Sequence, residues 1–258
     1  MQQKMNKMPI VIGIGELLWD ILPTGKKAGG APINFAYHAS RLGVQSYAIS
    51  AVGKDYFGDE ILQVIEKTGI SHIIERVDYP TGTVQIELND GIPNYNIIEG
   101  VAWDHIPLTN DMIQLAKQAD AICFGTLAQR SKTSRESIQK LLSYIPNDSY
   151  RIYDINIRQY YYSKEIIISS LNNCNVMEKF NLKYLILTAG ADYSIVLSPS
   201  SCSKIKTPNV NIVDTVGAGD SFTGAFISSL LEGKSLSEAH QNAVDRAAYV
   251  CTQAGAWV

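Results

Sequence analysis

The chain lacks several features that would assign it to a class at once. It has four cysteines, Cys123, Cys174, Cys202 and Cys251, and no two are spaced C-x-x-C. In a chain of 258 residues this reads as buried thiols in a reducing compartment rather than a disulfide framework or a zinc ribbon. No apolar run is long enough to span a bilayer. The polar, basic start at 1–8 leads into a short apolar run at 10–14 that Glu16 ends, which does not make a signal peptide. The expected location is the cytoplasm. Positive charge is not in excess, and the net charge of −3 makes nucleic acid and anionic membrane unexpected partners. There is no G-x-x-x-x-G-K-[ST], which excludes a P-loop. No G-x-G-x-x-G opens a helix after the first strand, which disfavours a dinucleotide fold.

What remains is an ordinary globular composition, 46% hydrophobic and 18% charged. The length suits one large α/β domain with room for a small appendage. The apolar, β-branched run 10–14 reads as a fully buried strand. A glycine-opened loop then enters a helix across 29–42, a second strand covers 46–52, and a helix over 59–67 is closed by Gly69. Strands and helices alternate again from Asp111: helices at 111–119 and 134–144, strands at 121–125, 151–155 and 184–188, and an antiparallel partner at 194–197. The last helices start near Gly219 and at Ser237, and 210–213 reads as a strand. This rhythm predicts a mostly parallel sheet covered on both faces.

Two segments break the rhythm. Residues 71–98 alternate in short runs punctuated by Pro80, Gly82 and Asp90-Gly91, which predicts a small antiparallel sheet projecting from a main domain of 1–70 and 99–258. An edge hairpin on the main sheet is the other reading. At Val176-Met177 a strand start runs straight into a helix end, although a parallel crossover needs a dozen or more residues. This predicts an omitted segment between 176 and 177. The end at Trp257-Val258 is similarly abrupt.

The chemistry is concentrated in Asp214-Thr215-Val216-Gly217-Ala218-Gly219-Asp220. Gly217, Ala218 and Gly219 lie where a loop enters a helix N-terminus, so bare N–H groups and the helix dipole make an anion site there. Asp220 in the first turn is placed to take a proton from an attacking hydroxyl. The same residues would also serve a tight turn with Asp220 as a helix cap. Asp214 beside Thr215 suits cation binding as well as turn formation.

The stretch DTVGAGDSF at 214–222 resembles the signature of the ribokinase-like (PfkB) carbohydrate kinases, and GGAPINFA at 29–36 resembles that family's N-terminal signature. Gly15-Glu16-Leu17-Leu18-Trp19-Asp20 with the Gly-Gly-Ala-Pro run is most similar to the fructokinase branch. The resemblance covers essentially the whole chain. It implies a three-layer α/β/α sandwich with a mostly parallel central sheet and a small β-sheet lid. It also implies ATP as phosphoryl donor with Mg²⁺, K⁺ as monovalent cation, a sugar acceptor with fructose first, and a homodimer paired through the lids. Ribose, 2-keto-3-deoxygluconate, a nucleoside, or a non-catalytic sugar-binding regulator are the alternatives.

The resemblance makes Asp220 the general base, residues 217–219 the anion hole, and Asp214 the holder of the monovalent cation. Asp20 and Asn34 would bind sugar hydroxyls, with Gly29 and Gly30 as the hinge beneath the lid. Arg158, in the D-x-N-x-R run starting at Asp154, would contact substrate or phosphate. Thr188 and Gly190 resemble a nucleotide-contacting turn, and Asn242 would line the adenine pocket. Each also has a purely structural reading: a turn cap for Asp20, a helix-face amide for Asn34, a turn for the glycines, a surface charge for Arg158, and helix packing for Asn242. One departure stands out: the turn after Thr188 has no second glycine of T-x-G-x-x-G.

Overall fold

The computed structural model describes residues 7–22, 25–89, 92–173 and 182–258, with the side chains of 86–89 and 92–95 outside the description. The chain runs through β1 (Ile10–Ile14), a hairpin of β2 (Leu18–Leu22) and β3 (Gly25–Gly29), α1 (Ala31–Ser40), β4 (Gln45–Gly53), α2 (Tyr56–Thr68) and β5 (Ser71–Val77). Next come β6 (Gly82–Asn89), β7 (Ile92–Ile97), α3 (Asn110–Ala116), β8 (Ala121–Gly125), α4 (Lys132–Leu142), β9 (Tyr150–Asp154) and α5 (Lys164–Asn172). The C-terminal part holds β10 (Leu185–Thr188), β11 (Tyr193–Leu197), β12 (Cys202–Lys206), α6 (Ala218–Leu231) and α7 (Leu236–Cys251).

The central sheet has five parallel strands in the order β5-β4-β1-β8-β9. Every residue of β1 is buried, as a strand covered on both faces requires. Its alternation sorts the layers. Ile10, Ile12 and Ile14 pack with Met112 and Leu115 of α3 and with Ile138 and Leu141 of α4. Val11 points the other way, into Phe35, Ala36 and Ala39 of α1 and Ile227 of α6. On the same side as α1, Ile61 and Ile65 of α2 pack on Ile33, Ala48 and Val52. The strands β10, β11 and β12 form an antiparallel sheet of three, whose Val196 meets Phe222 and Phe226 of α6 and Ala243 of α7. The result is the three-layer α/β fold expected.

The small sheet differs from the expectation in its membership. It is four-stranded, in the order β3-β2-β6-β7. The strand over Ser71–Val77, expected there, instead pairs in parallel with β4 and forms the edge of the central sheet. The hairpin of β2 and β3, which sequence reading missed, takes its place, with β2 parallel to β6. The reason lies in β5 itself. Ile73 and Val77 pack against the main core, and that burial draws the strand onto β4. The segment 210–213 is not a strand. Val213 gives its N–H to the Cys251 carbonyl (2.8 Å), and Ile212 and Val213 are exposed. The expected omission between Val176 and Met177 lies outside the described residues.

Where the chain enters and leaves the small sheet, it is pinned. Thr81 donates its N–H and hydroxyl to Asp55 (2.7 and 2.6 Å), and its hydroxyl accepts from Gly53 N–H (2.9 Å). Asp55 also caps α2 through Gly58 N–H. At the exit, Arg130 forks onto Asp104 (2.8 and 2.9 Å), reaches the Ile98 carbonyl (2.6 Å) and lies 4.0 Å from the Trp103 ring.

Gly30, the N-cap of α1, has φ 131°, and a Cβ there would lie 1.9 Å from the Glu16 carbonyl oxygen. Gly69, the C-cap of α2, has φ 74° and open space around it. Gly30→Ala is therefore expected to cost about 3 kcal/mol or more, through clash plus strain. Gly69→Ala is expected to cost only the left-handed penalty of about 1 kcal/mol. Urea denaturation of both variants checks the difference, and equal losses would count against the close approach at Gly30.

Candidate active site

The site forms where the N-termini of α1 and α6 meet beneath the β2–β3 hairpin. Gly224 of α6 allows the meeting: a Cβ there would sit 3.1 Å from the Phe35 carbonyl and 3.2 Å from the Ala39 nitrogen. Helix α6 starts at Gly217, held at φ 78° against Ala256. Its first turn leaves backbone N–H groups without intrahelical acceptors. A Cβ on Gly219 would meet nothing within 4 Å, so the space before this turn is open. The donor type there is right for an anion.

Asp220 is the third residue of α6. Its carboxylate accepts a hydrogen bond from Asn34 Nδ2 (2.8 Å) across the helix interface. The Asn34 Oδ1 accepts from Trp257 Nε1 (2.7 Å). An indole N–H can only donate, so Trp257 fixes which end of the amide faces Asp220. Trp257 in turn stacks on Tyr37, with ring centroids 6.0 Å apart.

Four carboxyls share the neighbourhood. Burial, then the charges of Asp154 and Glu16, push Asp220 up to about 7, against the pull of the Asn34 hydrogen bond and Arg158. Burial likewise lifts Glu16 to about 7, with Asp154 adding to it. Glu16 is 3% exposed, and its Oε2 is buried without a hydrogen-bond partner. Asp154, at the end of β9, is raised mainly by burial, while Arg158 and the Asn156 N–H pull it down. Burial and then Asp214 raise Asp20 to about 6, and Arg158 and Lys27 oppose them. Arg158 is thus the cation that acts on all four. It sits on a turn in which Asn156 and Gln159 hold positive φ (29° and 46°), a conformation uncommon outside glycine.

The structure therefore brings Asp20, Gly29, Gly30, Asn34, Arg158 and residues 217–220 to one place. Gly29 lies against Asp20, whose Oδ2 would be 3.1 Å from an added Cβ. The nucleotide candidates lie in the C-terminal part. Thr188 ends β10, the Gly190 carbonyl accepts from Thr207 Oγ1 (2.9 Å), and Asn242 Nδ2 donates to Ser229 Oγ of α6 (3.0 Å). That contact belongs to the packing of α6 on α7. Asp214 meets this chain's own ammonium, from Lys27 (3.2 Å), rather than an open cation site. Sequence reading missed Glu16 and Asp154 as members of the acid cluster, although both stand in quoted motifs. It also missed Lys27 and Trp257, for which nothing local in the sequence gives a signal.

An anion-holding helix start beside a carboxyl poised near neutrality, under a small sheet, is suited to phosphoryl transfer onto a hydroxyl. The chain belongs to the pfkB family of carbohydrate kinases, whose model matches residues 22–165 and 164–257. An uncharacterized sugar kinase from Pyrococcus horikoshii is 28% identical over 261 aligned residues, covering 88% of this chain and 84% of that protein. Its crystal structure in complex with ATP matches with a TM-score of 0.85 at 26% identity, covering 96% of this chain and 94% of that one. An ATP-dependent 6-phosphofructokinase from Thermoanaerobacterium thermosaccharolyticum is 25% identical over 289 aligned residues, covering 96% of this chain and 89% of that protein. A fructokinase double mutant from Vibrio cholerae, crystallised with fructose, ADP and a potassium ion, shares the fold. Its TM-score is 0.78 at 20% identity, covering 97% of this chain and 94% of that one.

Replacing Trp257 with Phe keeps the stacking on Tyr37 but frees the Asn34 amide. Loss of one such bond is expected to lower kcat/KM for sugar phosphorylation about tenfold. Because Asn34 holds the Asp220 carboxyl down, the acid limb of the pH–rate profile is expected to move to higher pH. An unmoved profile would assign Trp257 a packing role only.

Proposed function

We propose that the protein transfers the γ-phosphoryl group of ATP to a hydroxyl of a sugar, fructose being the first candidate. The observation that carries this reading is the Asp220 carboxyl, raised to about 7 and hydrogen-bonded by Asn34 at the mouth of an open anion hole. At neutral pH such a group is partly ionised, able to accept a proton and then hold it. Asp220 takes the proton of the acceptor hydroxyl as its oxygen bonds to the γ-phosphorus, and the bond to the β,γ-bridging oxygen breaks to release ADP. The N–H groups at 217–219 stabilise the charge carried by the transferring group.

Asp20, Asn34 and Arg158 are assigned to the sugar, with Gly29 and Gly30 giving it close access to the backbone. Thr188, Gly190 and Asn242 are assigned to the nucleotide. Mg²⁺ is expected to come with the nucleotide phosphates. Among the described residues no cluster of three or more His, Cys, Asp or Glu would hold a metal ion, so no step is assigned to it. The small sheet covers the sugar side and excludes water as a competing acceptor. It has free edges at β3 and β7, through which a homodimer would pair. Among the described residues no helix is long and apolar enough to cross a membrane, and a cytoplasmic location fits this reading.

ADP release by the purified protein, measured over fructose, fructose 6-phosphate, ribose, 2-keto-3-deoxygluconate and a nucleoside, tests the substrate. Fructose is expected to give the highest kcat/KM, and no sugar-dependent turnover would favour a sugar-binding regulator. Asp220→Asn is expected to lower kcat by about a thousandfold, and a loss below about tenfold would exclude Asp220 as the base.

The pH dependence follows from the raised carboxyls. The wild-type kcat/KM is expected to fall as pH drops below about 7, where Asp220 becomes protonated. For stability the sign is opposite. A carboxyl whose native pKa is raised favours the protonated native state, so its stabilisation is lost as pH rises through about 7. Asp220→Asn is therefore expected to be no less stable than wild type at pH about 8.5 in thermal denaturation, while remaining inactive.

A further inference from the structure

The cation expected at Asp214 meets a carboxylate that is already occupied. Its Oδ1 accepts from the Val216 N–H (3.0 Å), and its Oδ2 accepts from the Gly255 N–H (3.0 Å) and the Lys27 ammonium (3.2 Å). A monovalent ion needs oxygen ligands turned toward it, and here three N–H donors approach instead. Lys27 reaches this point from β3 by laying its stem over Gly255, where an added Cβ would meet Lys27 Cδ at 3.3 Å and Nζ at 3.6 Å. Gly255 itself has φ 95°, so a side chain there would be strained as well as obstructive.

Two further facts show that the lysine belongs to the site. Lys27 is the direct cross-strand partner of Asp20, which puts both side chains on one face of the hairpin. Lys27 also lowers the affinity of the Asp20 carboxyl for its proton, while Asp214 raises it. The ammonium therefore stands between a carboxylate on the sugar side and the carboxylate that opens the 214–220 loop. An ammonium and a potassium ion are of similar size and equal charge.

We infer that Lys27 is a tethered cation, taking at the anion-hole loop the place of a free potassium ion, so that phosphoryl transfer by this protein does not depend on K⁺. Lys27 is a positioning residue: it acts on the loop through Asp214 and Gly255. The inference rests on the kinase reading above, and one arm of its test does not use turnover.

The test uses the whole protein, comparing KCl with tetramethylammonium chloride at equal ionic strength. Wild type is expected to give rates within about twofold in the two salts, and no K⁺-dependent shift in thermal unfolding. Lys27→Met, in tetramethylammonium, is expected to lose about tenfold or more in kcat/KM, as loss of a charge-assisted contact implies. With the lysine gone, K⁺ is expected to restore part of that rate and to raise the melting temperature. A wild type activated tenfold by K⁺, or stabilised by it as much as Lys27→Met is, would overturn the inference. So would a Lys27→Met protein that keeps full activity, or one that K⁺ neither stabilises nor rescues. Absence of turnover in every sample would count against the kinase reading, and the unfolding arm would still decide the role of Lys27.

Discussion

Everything in the site depends on how closely α1 and α6 approach. Gly224 presents no side chain to the Phe35 carbonyl and the Ala39 nitrogen, and the two helices therefore touch through backbone. This contact places Asn34, in the first turn of α1, within hydrogen-bond distance of Asp220, in the first turn of α6. A larger residue at 224 would part the helices, separating the amide from the carboxyl and widening the anion hole.

The acid cluster sets the electrostatic problem that the rest of the site answers. Glu16, Asp20, Asp154 and Asp220 crowd together with burial as the main cause of their raised pKa values. Fully ionised, they would repel one another and any phosphate. Arg158 offsets all four, Asn34 favours the charged form of Asp220, and Lys27 serves the Asp20 side. The buried Asp104–Arg130 pair is a separate device. It fixes the chain where it leaves the small sheet, in a setting where loss of either partner would leave an uncompensated charge.

The parts of this arrangement that sequence reading reached are those written as local patterns. The buried run of β1, the Gly69 stop of α2 and the glycine loop opening α6 are decided by neighbours along the chain. Asn34 and Asp220, which the structure joins by a hydrogen bond, both stand in the two signature stretches. What escaped was decided at a distance. The β2–β3 hairpin contains Gly25, Lys26 and Lys27, weak strand formers that hold only through pairing, and β5 chose the central sheet because its apolar side chains found the main core. The run at 210–213 has strand composition but gives its N–H to the end of α7. Trp257 and Lys27 lie 223 and 187 residues from their partners, beyond the reach of any local pattern.

The raised carboxyls have one more consequence. Burial lifts both Glu16 and Asp220 to about 7, and the charge of Glu16 acts on Asp220. Ionising one of them makes the other harder to ionise, so the pair titrates as a unit over a wider span of pH than a single carboxyl would.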